Sequence, residues 1–497
     1  MISPSTFDGY RTLARHGGIV PVVREFAADT LTPVTAYAAV ARPPFGFLLE
    51  SLVGGERWAR YTFLGTEPSE AWRYSHGLAD RWTPGAGWEQ AGHCPNPLAH
   101  IAGRLRPLRG VAVPGLPRFA GGAVGYLAYD VVRAIESLPG GPADDLELPD
   151  AAFMIADTVV IIDNAFGRAI ALANTHLAPG ASHAELRQEY DRALGRIESL
   201  LERLRGPPRL EPLSLEEVRA LPSESQYSRE AFERGVSQIK QHIAAGDVYQ
   251  AVLSRRQDVT VDADPLTVYR SLRVLNPAPY LYFLTLDDFT IAGSSPEVLV
   301  RVEDGEITVR PIAGTRPRGS DPDQDDRLAL ELLADEKELA EHAMLVDLGR
   351  NDVGRVAEYG SVRLTVNRTI ERYSHVQHIV SEVRGRLRPN LDAVDALQAC
   401  FPAGTVTGAP KVRAMQLLDG MEPTRRGPYA GAVCHIGWGV VNLDTAITIR
   451  TALLRGTKAY VQAGAGIVAD SDPAREFEET ENKAGAVLRA LALAARR

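Results

Sequence analysis

The sequence predicts an α+β protein that is built on large antiparallel sheets. Strand-like runs occur in both halves of the chain, and they do not alternate regularly with helices as they would in a doubly wound parallel sheet. At least four strong helical signals lie in the second half. Because 497 residues are too many for one simple core, we expect several domain-sized units or one large composite.

Changes in composition divide the chain. Residues 183–205 have helical periodicity and mixed charge, and a Pro-rich, polar stretch follows them. We therefore predict an N-terminal region over residues 1–205, a linker over 206–226 and a C-terminal region over 227–497. The strand-like runs of the N-terminal region are FGFLLES, RYTFLG, GGAVGYLAYD and AAFMIADTVVIID.

Charge and cysteine content exclude several classes of protein. The formal net charge of -9 argues against a nucleic-acid binder, since such proteins usually have a basic face. Cys94, Cys400 and Cys434 lie far apart and form neither a metal-binding spacing nor a disulfide ladder. The sequence has neither a secretory signal pattern nor a run of about 18 uncharged apolar residues. We expect a cytoplasmic protein without membrane spans.

A strand that carries a polar side chain is predicted in GDVYQAVLSRR, residues 246–256. Apolar and polar residues alternate from Val248 to Ser254, which is typical of a half-buried strand. Gln250 lies in this strand. A lysine there would be a ready base, so the role of the glutamine depends on the nucleophile that the protein uses.

Two acidic helices are predicted in the C-terminal region. In the first, residues 335–352, Asp335 is the N-cap and Glu338 takes the reciprocal capping-box position. Glu338 and Glu341 share one face. Its apolar stripe consists of Leu339, Ala343 and Val346.

The second acidic helix covers residues 471–491. Asp472 is its cap, Pro473 takes the first helical position, and Glu476 and Glu479 share one face. Its core-facing residues are Phe477, Ala484, Leu488 and Leu491. The two carboxylate pairs could converge on a hard cation such as Mg²⁺. Alternatively, Glu338 only caps its helix and Glu479 pairs with Lys483, and the spacing by itself favours this second interpretation.

Four loops are dense in glycine, threonine and proline: residues 309–319, 401–415, 426–439 and 461–470. Glycines allow backbone N–H groups to approach an anion closely, so such a cluster could bind carboxylates. None of these loops is a nucleotide-binding signature, because GTVTGAPK lacks the Gly-Lys-Ser/Thr ending and GAGIVA lacks the third glycine. Each loop by itself is explained by a tight turn.

Together, these loops and helices resemble the chorismate-utilising enzymes, and among them the members that form anthranilate. The motifs occur in the order typical of that family: PIAGTRPRG, DEKELAEHAMLVDLGRND, YSHVQH, FPAGTVTGAPK, GPYAG, TAITIRTA, QAGAGIV and EFEETENKA. They span about residues 225–490, and LLES, GGERWARYTFLG and NPAPYLYFL extend the resemblance. It implies two large packed antiparallel sheets with helices outside and an active site in a cleft.

The resemblance also implies a metal site and a substrate site. Glu341 and Glu479 match the family's Mg²⁺ ligands, with Glu338 and Glu476 as acidic support, and the ion would hold the ring carboxylate of chorismate. The positions matched to chorismate contacts are Gly314, Thr315, Tyr429, Arg450, Gly464, Ala465 and Gly466. Arg450 suits the enolpyruvyl carboxylate, because a guanidinium can donate two parallel hydrogen bonds to it.

Catalytic roles follow from the same resemblance. Glu297 matches the acid that protonates the departing ring hydroxyl, and it must keep a proton at neutral pH, which requires apolar or anionic surroundings. His378 matches the histidine needed for pyruvate elimination. Thr405 and Thr407 are expected to hydrogen-bond in the cleft, unless their side chains only hold their own loop.

Two positions indicate the nucleophile and its target. Relatives that add water carry a lysine base at the position of Gln250, which ammonia does not need. Relatives that aminate carbon 4 carry a nucleophilic lysine where this chain has Ala313. We therefore expect chorismate and ammonia to give 2-amino-2-deoxyisochorismate, and then anthranilate and pyruvate. A separate glutamine amidotransferase subunit would supply the ammonia.

The resemblance finally implies feedback inhibition by tryptophan. The matched positions are Glu50, Ser51, Pro279, Tyr280 and Leu281, the last replacing a methionine that is often found there. Two alternatives stay open. One is an enzyme that stops at 2-amino-2-deoxyisochorismate, and the other is an inactive protein that only binds chorismate or tryptophan.

Overall fold

The structure is a computed structural model that describes residues 6–52, 60–138, 140–214, 216, 218–373 and 376–495. Parts of the GGERWARYTFLG and YSHVQH motifs lie outside these ranges. The first strands along the chain are β1 (Gly18–Ala27), β2 (Phe45–Glu50), β3 (Tyr61–Thr66), β4 (Ala71–Ser75), β5 (Leu78–Thr83), β6 (Gly87–His93), β7 (Gly122–Leu127), β8 (Ala151–Ala156), β9 (Thr158–Asp163) and β10 (Arg168–Leu177).

The later strands and the helices complete the element order. The strands are β11 (Ser223–Glu224), β12 (Gln250–Thr260), β13 (Tyr280–Leu286), β14 (Phe289–Ser295), β15 (Val298–Glu303), β16 (Glu306–Val309), β17 (Ile312–Pro317), β18 (Arg363–Arg372), β19 (Val376–Arg386), β20 (Gly408–Ala409), β21 (Ala432–Gly437), β22 (Leu443–Ile447), β23 (Thr451–Arg455) and β24 (Lys458–Ile467). The α-helices are α1 (Phe7–Leu13), α2 (Pro33–Val40), α3 (Pro97–Leu105), α4 (His183–Arg205), α5 (Arg229–Ala244), α6 (Pro265–Leu275), α7 (Pro322–Ala334), α8 (Glu336–Gly354), α9 (Ala393–Cys400), α10 (Lys411–Asp419) and α11 (Pro473–Ala494).

The strands form two twelve-stranded antiparallel sheets. The order in the first sheet is β1-β10-β9-β3-β2-β13-β14-β23-β24-β12-β11, and β20 pairs with β12. The order in the second sheet is β17-β19-β16-β15-β22-β21-β7-β8-β4-β5-β6, and β18 pairs with β19. In each sheet the strands that precede the predicted linker form one half and the later strands form the other, and the halves join at β2–β13 and at β7–β21. The N-terminal and C-terminal regions therefore share their hydrogen-bond ladders.

The two sheets pack face to face, and helices cover their outer faces. Phe47 and Tyr282 of the first sheet share a buried cluster with Val433 of the second. Helices α2, α6 and α11 cover the outer face of the first sheet, and α3 and α9 cover that of the second. This arrangement confirms the predicted fold class.

Several predicted elements are confirmed in detail. Residues 183–205 form α4, and the strand-like runs of the N-terminal region form β2, β3, β7, β8 and β9. Asp472 caps α11 through a hydrogen bond from the Arg475 N–H, and Pro473 is the first helical residue. Of the predicted core residues of α11, Ala484 and Leu491 are buried, whereas Phe477 and Leu488 are partly buried.

Strand β12 differs from the prediction of a half-buried strand. It begins at Gln250, and it is buried on both faces over most of its length. Ala251 and Leu253 pack against α5 and α10. On the opposite face Ser254 donates to Glu422 and Gln250 donates to Glu341. The polar half of the alternating pattern is therefore buried against other polar groups, which no single-strand pattern reveals.

Helix α8 corrects two further predictions. Asp335 is its N-cap, as predicted, but the Asp335 N–H donates to Leu332 and Glu338 instead accepts from Arg316, so the reciprocal capping-box bond is absent. Of the predicted apolar stripe, Ala343 is exposed, so its prediction is wrong, whereas Leu339 is half-buried and Val346 packs against the core. The buried face is formed by His342, Leu345, Asp352 and Val353. Because His342 and Asp352 are polar but buried, the buried face of this helix does not appear in the sequence as a periodic series of apolar residues.

The three cysteines form no disulfide bond with one another. Cys94, Cys400 and Cys434 are buried free thiols. In the part of the chain that the structure describes, no helix has both the length and the apolar character that crossing a membrane requires.

A buried ion pair fixes the region around β12. The Arg426 guanidinium donates to both carboxylate oxygens of Glu422 at 2.7 and 2.6 Å, and their side chains are 2% and 5% exposed. Arg426 also donates to the carbonyls of Val252 and Val406, at 2.7 Å each. Glu422 accepts from the N–H and the hydroxyl of Ser254 at 2.9 and 2.8 Å. These six bonds connect β12, the loop before β20 and the segment that precedes β21.

We expect Glu422→Ala to lower the free energy of unfolding by about 3–5 kcal/mol, because it leaves the Arg426 charge buried without a partner. The measurement is chemical denaturation. The matched control is Asp191→Ala, since Asp191 pairs with Arg187 at 2.9 Å on the surface, with both side chains at least half exposed. The control should change stability by less than about 1 kcal/mol. Equal effects of the two substitutions would contradict the prediction.

Candidate active site

A hydrogen bond joins β12 to α8 at the predicted cleft. Gln250 donates from Nε2 to Oε1 of Glu341 at 2.9 Å, and its own Oε1 is buried without a partner among the described residues. Gly466 of β24 makes room for this side chain, because a Cβ at that position would lie 2.6 Å from the Gln250 Nε2. The sequence thus places a neutral amide, with an unused acceptor, beside a carboxylate.

The predicted metal ligands face one region. Burial raises the pKa of Glu341, and the nearby charges of Glu338 and Glu479 raise it further. The pKa of Glu476 is raised mainly by burial and also by Glu479. The carboxylates of α8 and α11 are therefore close enough to repel one another. Excess negative charge of this kind is what a divalent cation neutralises.

One half of the alternative to a metal site also forms, because Glu479 bonds to Lys483 at 2.6 Å. Glu338 does not act as a reciprocal cap and instead bonds to Arg316 at 3.2 Å. Among the described residues, no group of three or more His, Cys, Asp or Glu side chains is arranged to hold a metal. Mg²⁺ normally uses only one or two carboxylates together with water and substrate oxygens. The donor set at α8 and α11 fits that mode of binding.

Lys483 is central to the cleft, although the sequence analysis considered it only as a partner of Glu479. Its ammonium group donates to the Gly464 carbonyl at 3.0 Å. Its positive charge acts to lower the pKa values of Glu297, Glu341 and His378. For Glu297 and Glu341 the effect of burial is larger, so their pKa values are still raised. The i,i+4 spacing from Glu479 was the available signal, but this spacing occurs on many solvent-exposed helices.

A β-bulge brings the PIAGT motif against His378. The register of β17 on β19 shifts around Gly314, whose φ of +68° is in the left-handed region, and Thr315 then lies opposite His378. His378 Nδ1 is 3.0 Å from the Gly314 carbonyl and 3.1 Å from the Thr315 hydroxyl. Because a carbonyl only accepts, Nδ1 carries the proton and Nε2 is left as an acceptor. Burial lowers the pKa of His378, which favours the neutral ring.

Glu297 occupies the buried turn between β14 and β15. Burial raises its pKa to about 8, while the Thr405 side chain and the Ile312 backbone act in the opposite direction. The carboxyl group is therefore mostly protonated at neutral pH. This is the environment that a general acid requires.

Arg450 is a buried guanidinium that faces the cleft. Burial lowers its pKa, and within the described ranges no side chain forms a hydrogen bond or an ion pair with it. The electrostatic effects of Tyr429 and Glu479 act to raise the pKa of Arg450. Tyr429 in turn lies against Gly464, where a Cβ would be 2.7 Å from the Tyr429 hydroxyl. A cationic group in this state is ready to bind an anionic ligand.

The remaining predicted residues occupy defined places. Ala465 is buried and pairs with Leu253 across β24 and β12. The Thr407 hydroxyl donates to the Ala403 carbonyl at 3.0 Å, so it holds its own loop in this structure. Thr405 lines a small cavity together with Glu297, and its hydroxyl is buried without a hydrogen-bond partner among the described residues. Ala313 is buried opposite Ile379, next to the bulge.

The five residues predicted to bind tryptophan line one cavity of about 90 Å³ between the sheets. The carboxylate of Glu50 accepts from the Tyr269 hydroxyl at 2.5 Å and from Arg273 at 3.0 Å. The Tyr280 hydroxyl donates to Asp444 at 3.0 Å. The lining of this cavity also includes three residues that the sequence analysis missed: Arg301, His435 and Asp444. They come from strands far apart in sequence and match no motif.

A cleft with an unpartnered guanidinium, a protonated carboxyl group and opposed carboxylates is built to bind and transform a small polyanion. The comparison with known families makes this class specific, because residues 81–489 match the family described as chorismate binding enzyme. The chain belongs to this family.

Relatives of similar length support this membership. The chain is 48% identical over 496 residues to anthranilate synthase component 1 of Pseudomonas aeruginosa, covering 98% of this chain and 97% of the relative. It is 44% identical to the protein of that name from Acetivibrio thermocellus, covering 98% of each chain. A crystal structure of anthranilate synthase component I from Streptococcus pneumoniae superimposes with a TM-score of 0.77 at 35% identity, covering 93% of this chain and 99% of that one.

A more distant structure shares the fold. The menaquinone-specific isochorismate synthase of Escherichia coli superimposes with a TM-score of 0.72 over 97% of each chain, at 19% identity. At that identity the similarity concerns the architecture alone.

Proposed function

We propose that this chain converts chorismate and ammonia into anthranilate and pyruvate through 2-amino-2-deoxyisochorismate, with Mg²⁺ as cofactor. The observation that carries the proposal is the hydrogen bond from Gln250 to Glu341. It supports the proposal because a neutral amide stands beside this carboxylate at the position where, by the resemblance, water-adding relatives carry a lysine base. The family membership and the names of the relatives agree with this activity.

Substrate anchoring uses the anion-binding features of the cleft. We assign the enolpyruvyl carboxylate to Arg450, whose guanidinium has no other partner among the described residues. Glu341 and Glu479 would hold Mg²⁺, with Glu338 and Glu476 as acidic support. When bound, the ion would compensate the charge of the ring carboxylate. The backbone around Gly464, Ala465 and Gly466 gives the ring close access to β24.

In the first step, ammonia is the nucleophile and Glu297 is the general acid. Ammonia forms a bond to carbon 2, the two ring double bonds shift, and the bond between carbon 4 and its hydroxyl oxygen breaks. Glu297 gives its proton to that oxygen, which leaves as water. A protonated carboxyl group is needed because hydroxide is a poor leaving group.

His378 serves the second step. The hydrogen on carbon 2 is lost as a proton, the bond between carbon 3 and the enolpyruvyl oxygen breaks, and the side chain leaves as pyruvate after gaining a proton on its methylene carbon. The Nδ1–H is held by Gly314, so the free Nε2 of the neutral ring is the group that we expect to position or move this proton.

The proposal includes a partner and a location. Chorismate is the substrate, and ammonia would come from a glutamine amidotransferase subunit, in keeping with the component numbering of the relatives. Buried free thiols suit a reducing compartment, and we propose that the protein is cytoplasmic.

We expect the purified chain to form fluorescent anthranilate from chorismate, Mg²⁺ and an ammonium salt, and to form none when glutamine is the sole nitrogen source. The controls omit Mg²⁺ or chorismate. Chorismate consumed without anthranilate would instead support an enzyme that stops at 2-amino-2-deoxyisochorismate. Absence of turnover together with tryptophan binding would support a protein that only binds these ligands.

The pH dependence of the reaction should report on Glu297. Because its pKa is about 8 and the acid form is required, the rate should fall as pH rises through that value. Free ammonia increases with pH, so rates are compared at constant ammonia concentration. Glu297→Gln keeps the site neutral but has no proton to give, and we expect a loss of about 10²–10⁴-fold. A wild-type rate that stays flat over this pH range would rule out Glu297 as the acid.

We further propose that tryptophan inhibits the enzyme at the cavity lined by Glu50, Ser51 and Tyr280. Its volume of about 90 Å³ is below the roughly 300–1,000 Å³ of ligand pockets, so binding would displace its walls. Pro279 and Tyr280 also border a neighbouring cavity of about 350 Å³, whose other wall includes the two neighbours of Glu297. A displaced wall can therefore reach the catalytic acid.

Tryptophan should lower the rate with ammonia as nitrogen source. Leu281→Ala removes packing behind the cavity wall, so the tryptophan concentration for half inhibition should change while the uninhibited rate stays within about twofold, because Leu281 lies outside the cleft. The measurement is an inhibition curve at fixed chorismate. Identical inhibition curves for the two proteins would place the inhibitor elsewhere.

A further inference from the structure

A small cavity lies beside Glu297. Its volume is about 40 Å³, and its polar lining includes Glu297 and Thr405. The described residues that line it include none of the predicted chorismate contacts. A water molecule needs roughly 10–15 Å³ and several polar partners, so this cavity can hold water in contact with the catalytic acid.

Asp352 is the other carboxylate in the lining of this cavity. Its side chain is 8% exposed and accepts from the Lys411 ammonium group at 2.8 Å. Lys411 also donates to the Cys400 carbonyl at 3.2 Å, which fixes the pair beside the cavity. Arg310 also lines the cavity, and most of the remaining lining is apolar, including Leu345 and Leu348. Water in the cavity would therefore have two carboxyl groups and the Arg310 side chain as polar neighbours.

Nothing in the proposed reaction explains this pair. Asp352 lies on the last turns of α8, beyond the predicted metal ligands, and it does not line the substrate cleft. A buried ion pair is a weak source of stability compared with apolar residues of similar volume. The general acid, however, needs a new proton after every turnover, and bound substrate and product obstruct the cleft side.

We propose that this cavity is the route by which Glu297 regains its proton, with Asp352 as the donor at its far end. The inference rests on the proposed function, in which Glu297 gives its proton to the departing hydroxyl group. The Asp352 carboxylate, which is paired with Lys411, first takes a proton from solvent. A cavity water then gives a proton to the Glu297 carboxylate and takes that proton from Asp352, which returns to its ion-paired form. The sum is the transfer of one solvent proton to Glu297, and Asp352 acts only through that residue.

The test compares the first turnover with later turnovers in Asp352→Asn. Glu297 starts protonated, so anthranilate formation in a single turnover with excess enzyme should match that of the wild type. With excess chorismate, a burst of one product per active site should precede a steady state that is slower by about tenfold or more. Imidazole buffer, which can donate protons to the cavity, should restore the steady-state rate. A role of Asp352 in folding alone would slow both phases equally and would give no rescue.

A second variant guards against misfolding, since Asp352→Asn leaves Lys411 buried without a carboxylate. Asp352→Asn/Lys411→Gln replaces the ion pair by a neutral hydrogen-bonded pair and should show the same burst. The inference is overturned if either well-folded variant retains the wild-type steady-state rate, or if single-turnover and steady-state rates fall together.

A measurement without substrate separates this inference from the proposed function. The infrared carboxylic-acid band that is lost in Glu297→Gln identifies the proton on Glu297. After a jump to lower pH, this band should recover more slowly in Asp352→Asn than in the wild type. Slower recovery supports the route even if the wild type makes no anthranilate, a result that would count against the proposed function alone. Equal recovery overturns the route even if the wild type makes anthranilate.

Discussion

The buried pair of Arg426 and Glu422 is the interaction on which the cleft depends. It joins three segments that carry site residues: β12 with Gln250, the loop with Thr405, and the segment that leads to Tyr429. The Arg426 guanidinium also lies over the Tyr429 ring, 5.7 Å from its centroid. Charged groups without water need all of their hydrogen bonds, so each segment has little freedom to move. The pair of Arg426 and Glu422 therefore holds Gln250, Thr405 and Tyr429 in position, although neither member of the pair has a proposed catalytic role.

Burial determines the protonation of the groups around this frame. The same desolvation raises the pKa of Glu297, lowers that of His378 and leaves Arg450 as a cation that seeks an anion. A protonated carboxyl group and a neutral imidazole thus arise from a single physical cause, the burial that also lowers the pKa of Arg450. Their differences come from the charge of each side chain and from its nearest hydrogen bonds.

The continuity of the sheets gives the molecule its second kind of site. Strand β2 precedes the linker and pairs with β13, which follows it, so Glu50 and Leu281 become partners in one ladder. The proposed tryptophan cavity lies at this junction, and its wall adjoins the neighbours of Glu297. If the proposed tryptophan site is occupied, a change in these shared strands would reach the neighbours of Glu297 without a separate moving domain.

The sequence by itself determined the fold class, the bounds of α4, the caps at Asp335 and Asp472, and five of the residues that line the second cavity. These features depend on short-range periodicity, on capping chemistry and on ordered motifs. Only the tertiary structure decided that β12 is buried on both faces, that Ala343 is exposed, that Glu338 bonds to Arg316 and that Lys483 is central. The reason is that burial and partners are fixed by elements distant in sequence, as Gln250 and Glu341 show across 91 residues.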